Sequence, residues 1–177
     1  MTPRVRIVQL PPDTLFALAA GDLDAANAAS PVPLTAYLVS EESVSTWRFR
    51  ARQAVESPED LPWVTGAMWD EDAEVVVGKA GFHGAPDARG MVELGYAVDP
   101  LMRRRGYARA AFRVLLDRAR AEPGVRVLRA TTSPGNLASR ALIEEFGLVE
   151  NGEQWDEEDG LELIYEISVD GAGQAQA

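Results

Sequence analysis

Hydrophobic and polar positions change their period several times along the chain, and each change predicts an element. Val5, Ile7, Val8 and Leu10 mark a strand over 4–10, stopped by Pro11 and Pro12. Residues 13–20 and 22–29 read as two short helices, separated by Gly21 and ended before Pro31. Val44, Trp47, Ala51, Ala54 and Val55 recur near helical spacing and predict a longer helix over 41–56. From Trp63 onward the pattern is β-favouring, with runs at 63–69, 74–82 and 91–98 between Asp-, Gly- and Pro-rich turns, read as three antiparallel strands. Over 107–120, Ala108, Phe112, Leu115, Leu116 and Ala119 share one face, while Arg109, Arg113, Asp117 and Arg120 share another, which predicts an amphipathic helix. A strand over 125–132, a helix over 136–146 ended by Gly147, and a strand over 161–169 with alternating Leu161, Leu163, Tyr165, Ile167 and Val169 complete the order. Neither a repeat nor a linker interrupts it, so 1–170 is expected to be a single domain and 171–177 a disordered tail.

The chain has 177 residues, enough to bury a sizeable core, and its 46% apolar and 25% charged content is that of a soluble globular protein. No apolar run is long enough to span a bilayer. The absence of cysteine excludes a disulfide framework, a thiolate nucleophile and Cys-ligated metal, and a lone histidine, His83, excludes multi-His centres. The first residues lack the apolar stretch of a secretory signal, so the cytoplasm is the expected location. A net charge of −11 argues against nonspecific nucleic-acid binding. Locally the balance reverses: residues 103–129 hold nine arginines against Asp117 and Glu122, a charge of +7, so the remainder carries −18.

That basic run starts in a loop between a predicted strand and a predicted helix, Tyr96-Ala97-Val98-Asp99-Pro100-Leu101-Met102-Arg103-Arg104-Arg105-Gly106-Tyr107-Ala108. A helix start exposes unpaired N–H groups and the positive end of the helix dipole, which suits a phosphate. Gly106 lets the backbone approach closely, and Arg103, Arg104 and Arg105 add charge. The chain contains neither G-x-x-x-x-G-K-[ST] nor a G-x-G-x-x-G between strand and helix, so ATP and NAD are unsupported.

The segment resembles the acyl-CoA signature of the GNAT N-acetyltransferase superfamily, R/Q-x-x-G-x-G/A, through Arg103, Gly106 and Ala108. The resemblance continues in Val98-Asp99-Pro100 before the signature. It resumes in Asn136, Ser139, Leu142, Gly147 and Leu148, which follow the family's N-x-x-[SA]-x-x-L-[YF]-x-x-x-G-F, with Ile143 at the aromatic position. Gly81-Phe82-His83-Gly84 and Val92-Glu93-Leu94-Gly95-Tyr96 look like the Rim-type branch, whose members acetylate ribosomal-protein N-termini. The likeness spans roughly 75–169, with 4–10 fitting the family's first strand. It implies an α/β (α+β) acyl-CoA N-acyltransferase fold: a mixed, mostly antiparallel central sheet with helices on both faces. The implied activity moves an acetyl group from acetyl-CoA to a primary amine, without metal.

Such a transfer needs a neutral amine, a stabilised oxyanion and a departing thiolate. Free α-amino groups titrate at about 7.7–8.0 and lysine at about 10.4, so a proton acceptor is required. By the resemblance this is Glu93, directly or through water, and the main chain of Val98 meets the thioester carbonyl or the pantetheine arm. The amides of Arg104, Arg105, Gly106, Tyr107 and Ala108 would hold the pyrophosphate, and Asn136 the pantetheine arm, although an asparagine there also suits a helix N-cap. Many relatives carry an acid-donating Tyr where this chain has Ile143; Tyr165 and Ser139 are the substitutes considered, with Tyr165 also placed on an apolar strand face. Histidine is the side chain whose ordinary titration lies near neutrality, so His83 is a second candidate base. Trp47, Trp63, Trp69 and Trp155 read as core or rim residues. The acidic runs at 70–72 and 156–159 suit either a cationic amine acceptor or solvated turns.

Two other classes compete. Ile143 fits an acyl-CoA-binding sensor that does not catalyse, and 138–142 superficially resembles a DNA-reading helix, which the nearby Glu144 and Glu145 disfavour. The acceptor stays open among peptide N-termini, aminoglycosides, polyamines and amino acids, as does homodimer formation. No nucleic acid or membrane partner is expected.

Overall fold

The structure, a computed structural model, describes residues 2–157 and 160–169; the tail at 171–177 and part of the acidic run at 156–159 lie outside the described residues. The elements are β1 (Val5–Val8), α1 (Pro12–Ala19), α2 (Leu23–Ala29), α3 (Glu41–Glu56), β2 (Gly66–Asp70), β3 (Val75–Phe82), β4 (Met91–Val98), α4 (Tyr107–Ala121), β5 (Val127–Thr132), α5 (Leu137–Glu145), β6 (Val149–Asp156) and β7 (Gly160–Ser168). Short 3-10 turns occupy Ala36–Val39, Pro58–Asp60 and Pro100–Met102. Three helices begin where a side chain accepts an otherwise orphaned N–H: Asp22 from Ala25, Ser40 from Ser43 and Asn136 from Ser139. In α1 proline at the first position performs the equivalent service.

The strands are ordered β1-β2-β3-β4-β5-β7-β6 in a mixed sheet, antiparallel in β1–β2, β2–β3, β5–β7 and β6–β7 and parallel in β4–β5. The chain divides into two compact units, Met1–Ala85 with Tyr96–Val114 and Pro86–Gly95 with Leu115–Ala177. The last three residues of β4 and the first half of α4 therefore belong to the first unit.

In the first unit β1 pairs with β2 from Val5↔Asp70 to Val8↔Ala67, and β2 pairs with β3 through a bulge at Met68/Trp69. The Asp99 N–H donates to the Val77 carbonyl at 2.9 Å, fixing the end of β4 on β3. Gly78 is needed there, because a Cβ would meet the Ala97 carbonyl oxygen at 2.2 Å. Leu15, Leu18, Leu38, Trp47 and Val76 form the core, and the Trp47 Nε1–H donates to the Leu38 carbonyl at 2.7 Å. Buried among them on β3, Lys79 donates from Nζ to Thr46 Oγ1 at 2.8 Å and the Glu42 carbonyl at 3.3 Å. Burial pulls its pKa down to about 8.

In the second unit β4 runs parallel to β5 from Met91↔Val127 to Leu94↔Ala130, and β5 pairs with β7. The core takes Leu128, Ala130, Ile143, Leu148, Tyr165 and the later α4 residues Leu115, Leu116 and Ala119. Two expectations shift, and one strand, β6, was not expected. β2 starts at Gly66 rather than Trp63, because the chain is still turning over 61–63, and Val64 forms only an isolated bridge to Phe82. Phe112, Leu115, Leu116 and Ala119 are buried as expected, while Ala108 is only half-buried and Tyr107, Ala110 and Ala111 are buried as well, so the apolar stripe of α4 is wider than the expected one. Strand β6 carries no apolar alternation, being almost wholly exposed, and it is held by its pairing with β7.

Candidate active site

The loop that leaves β4 is shaped by its own short-range bonds. Asp99 accepts the Leu101 N–H on its side chain at 2.9 Å and the Met102 N–H on its carbonyl at 2.7 Å, with Pro100 at the first position of the turn. Arg103 then folds back, donating from Nε to the Val98 carbonyl at 3.2 Å, so its guanidinium braces the loop. Arg104 adopts a left-handed backbone, φ 63°, and Gly106 another, φ 87°, with Pro3 only 3.4 Å from where a Gly106 Cβ would stand. For a non-glycine residue that conformation is strained.

α4 begins at once, its first bond running from the Ala110 N–H to the Gly106 carbonyl at 3.0 Å. Among the described residues, the N–H groups of Arg104, Arg105, Gly106, Tyr107 and Ala108 have no hydrogen-bond partner. Arg103, Arg104, Arg105 and Gly106 are exposed. The result is five main-chain donors at the positive end of a helix, beside three arginines, which can hold an anion with several acceptor oxygens. A diphosphate has that chemistry, and the residues present fit one.

Tyr107 contributes more than an amide. Its side chain is buried, and its hydroxyl donates to Asp70 Oδ2 at 2.7 Å. Burial pushes the Asp70 carboxyl up, but hydrogen bonds from Tyr107, Ala73 and Asp72 outweigh it and hold the group below its ordinary value. The same bond, followed by burial, pushes the Tyr107 phenol up.

In the second unit Glu93 lies half-buried in β4, and its Oε1 accepts the Thr131 hydroxyl at 2.8 Å. Arg129, its register partner, also pairs in register with Glu166 and is committed there: Nε and Nη2 donate to Glu166 Oε1 at 2.8 and 2.6 Å. Asn151 donates to the other Glu166 oxygen at 2.5 Å. Burial pushes Glu166 up, yet the Arg129 and Asn151 bonds and the Arg129 charge hold it below the ordinary range. Asn136 caps α5, accepting the Ser139 N–H at 3.1 Å, and Ser139 is half-buried in the first turn.

Tyr165 is fully buried opposite Ala130; its hydroxyl accepts from Arg140 Nε at 3.0 Å and lies 3.4 Å from Glu150 Oε2. Ile143 is also fully buried, so the aliphatic side chain is a core residue. Back in the first unit, Val98 is buried at the end of β4. His83 follows β3 with an exposed side chain, and its carbonyl accepts from Arg50 Nη1 at 3.0 Å and Gln53 Nε2 at 2.8 Å.

The sequence reading placed Asp70 in an acidic run that faces an amine or is solvated, whereas it is buried on the Tyr107 hydroxyl; Thr131 and the Arg129–Glu166–Asn151 group were missed. Alternation along β5 could have placed Arg129 and Thr131 together on the face opposite Leu128 and Ala130. Nothing local signals Asp70, which stands 37 positions from Tyr107.

Comparison with known proteins agrees with this architecture. A curated relative, "Uncharacterized N-acetyltransferase YjdG" of Bacillus subtilis (strain 168), is 35% identical over 81 residues, 46% of this chain and 48% of the relative. That match therefore spans about half of the relative's length. Two solved structures share the fold. One is a GNAT-family acetyltransferase from Bacillus anthracis, with a TM-score of 0.62 at 19% identity, covering 96% of this chain and 97% of that one. The other is a ribosomal-protein-S5-alanine acetyltransferase from Vibrio fischeri, with a TM-score of 0.63 at 17% identity, covering 94% and 93%. Residues 13–149 match the Acetyltransferase (GNAT) domain, and the chain belongs to that family.

Proposed function

We propose that the protein is an N-acetyltransferase that moves an acetyl group from acetyl-CoA to a primary amine, a peptide N-terminus or a small-molecule amine, with 1–170 acting as one catalytic domain in the cytoplasm. The observation that carries this reading is the set of five unpartnered N–H groups at 104–108 within the family's signature. Acetyl-CoA supplies the activated acyl group. Arg104, Arg105, Gly106, Tyr107 and Ala108 hold its diphosphate through main-chain donors, and the arginine charges add long-range attraction. The Val98 main chain receives the thioester carbonyl or the arm behind it, and Asn136 and Ser139 take the pantetheine. Arg103 acts indirectly, because its guanidinium is engaged by the Val98 carbonyl.

Glu93 accepts the proton that the ammonium must lose, directly or through water, and the Thr131 hydroxyl orients it. The amine lone pair then forms the N–C bond, a tetrahedral intermediate collapses, and the C–S bond breaks to leave thiolate. No side chain is assigned as the acid. Ile143 cannot donate; Tyr165, the candidate substitute, is fully buried, with its hydroxyl accepting from Arg140 and donating toward Glu150 Oε2 at 3.4 Å; and His83 serves only as the second candidate base. A thiol of reference pKa about 8.5 leaves tolerably without one near neutrality.

Mass spectrometry of a panel of amines and N-terminal peptides, incubated with acetyl-CoA and protein, tests the proposal. At least one acetylated product is expected, and Glu93→Gln should lower its rate by about 10²–10³-fold while coenzyme A affinity is kept. Coenzyme A binding with no transfer to any amine would instead favour the sensor reading that Ile143 motivates.

A further inference from the structure

Asp70 is the last residue of β2, and Tyr107 is the first of α4; both are buried, at 4% and 7% exposure. A carboxylate withdrawn from water is costly unless its oxygens are hydrogen-bonded. Here the two oxygens divide the work. Oδ1 accepts the N–H groups of Asp72 and Ala73, at 2.9 and 3.0 Å, and so closes the turn between β2 and β3. Oδ2 accepts the Tyr107 hydroxyl at 2.7 Å. Closing the β2–β3 turn needs only the first oxygen, so the second bond is an addition that reaches to the start of α4.

That start is where a brace has value. The loop ahead of it holds two left-handed residues, Arg104 and Gly106, its arginine side chains are exposed, and its three N–H groups at 104–106, with those of Tyr107 and Ala108, meet no acceptor among the described residues. In the main chain the Ala110 N–H bond to the Gly106 carbonyl ties this stretch to α4 at one point only, ahead of which Arg104 and Arg105 have no main-chain bond among the described residues. Side chains brace the loop at both ends: Arg103 on the Val98 carbonyl at the entrance, and Tyr107 on Asp70 at the exit. The amide of Tyr107 is one of the five donors, and its ring fixes that residue in place.

We propose that Asp70 is a positioning residue for acetyl-CoA, acting through the Tyr107 hydroxyl to hold the main-chain donors of 104–108 in register with a diphosphate. The inference rests on the acetyl-CoA reading of that turn. Asp70 touches no substrate in this account. It brings a negative charge near an anion site, and the geometry assigns it a tethering effect that exceeds the repulsion.

Titration of coenzyme A by calorimetry, with steady-state kinetics on an amine that the parent acetylates, tests this on the full chain. Tyr107→Phe deletes one oxygen. It should weaken coenzyme A binding and raise the KM for acetyl-CoA by about tenfold, with kcat and the KM for the amine within about twofold of the parent. Asp70→Asn keeps the turn-closing oxygen and presents an Nδ2–H that can donate to the Tyr107 hydroxyl, so it should lose less than Asp70→Ala. The double variant Tyr107→Phe/Asp70→Ala should bind no more weakly than Asp70→Ala, because the bond that Tyr107→Phe removes is already gone there.

Parent-like binding by Tyr107→Phe overturns the tether. So does tighter binding by Asp70→Ala, which would mean that charge repulsion exceeds the tether, and so do additive losses in the double variant. A Tyr107→Phe protein unfolded at room temperature makes the bond a folding contact and also overturns the positioning role. If the parent itself binds no coenzyme A, the reading of the turn fails first and this inference falls with it; a binding parent with an unaffected Tyr107→Phe defeats the tether alone.

Discussion

Two helices that begin near the family's motifs treat their first N–H groups in opposite ways. At the start of α5, Asn136 turns its side-chain oxygen onto the Ser139 N–H, and its carbonyl accepts from Arg140, so the helix closes its own end. At the start of α4 five donors in succession have no partner among the described residues, two of the five residues are left-handed, and no acidic side chain lies in the first turn. The first arrangement is what a helix does for stability. The second gives up a capping contribution of about 1 kcal/mol and keeps the donors for an acceptor from outside. The contrast explains why charge alone is a poor guide: arginines continue well into α4, but the open amides are confined to 104–108, the end of the loop and the first two residues of the helix.

The largest effect should come from spoiling the open start. Gly106→Asp puts a negative side chain on a residue of φ 87° beside Pro3, and should weaken coenzyme A binding at least about a hundredfold by calorimetry. Unchanged affinity would break the contrast.

A smaller effect comes from α3, whose first turn accepts from the buried Lys79. With its pKa lowered from 10.5 to about 8, the native state holds fewer protons than the unfolded chain between those values. The cost of burying the ammonium is therefore full below about pH 8 and is relieved as pH rises toward 10.5. Lys79→Met should flatten that rise in a chemical-denaturation series. The difference should be on the order of 2 kcal/mol, after discount for the part of the group that solvent still screens. A parent curve that falls over the same interval, once compared with the variant, would contradict this.

The smallest effects separate the two uses of Asn136. Asn136→Ala should cost about 1 kcal/mol of stability through the lost cap. Asn136→Asp keeps a capping oxygen but removes the Nδ2 donor, so it should retain the melting temperature and raise the KM for acetyl-CoA by about threefold. If only stability responds in this pair, Asn136 is a cap and nothing more.

How much was legible depends on how local the cause is. β4 and α3 match the boundaries read from the sequence, because alternation in one and helical spacing in the other are properties of consecutive residues. The turn at 99–108 was legible for the same reason, its Pro, Gly and arginines being contiguous. β6 was not, since its side chains are nearly all exposed and its place is set by pairing with β7. The extension of the α4 stripe to Ala110 and Ala111 was hidden because alanines fit either face. The Tyr107–Asp70 and Glu93–Thr131 bonds join residues 37 and 38 positions apart, and only the folded sheet brings such pairs together.

The central claim is that the loop end and helix start at 104–108 offer main-chain donors to a diphosphate, and ¹⁵N-resolved NMR titration with coenzyme A addresses those donors one by one. The account predicts that the amides of Arg104, Arg105, Gly106, Tyr107 and Ala108 show the largest shifts in the spectrum, saturating together. Saturable binding that leaves these five resonances unmoved would contradict it.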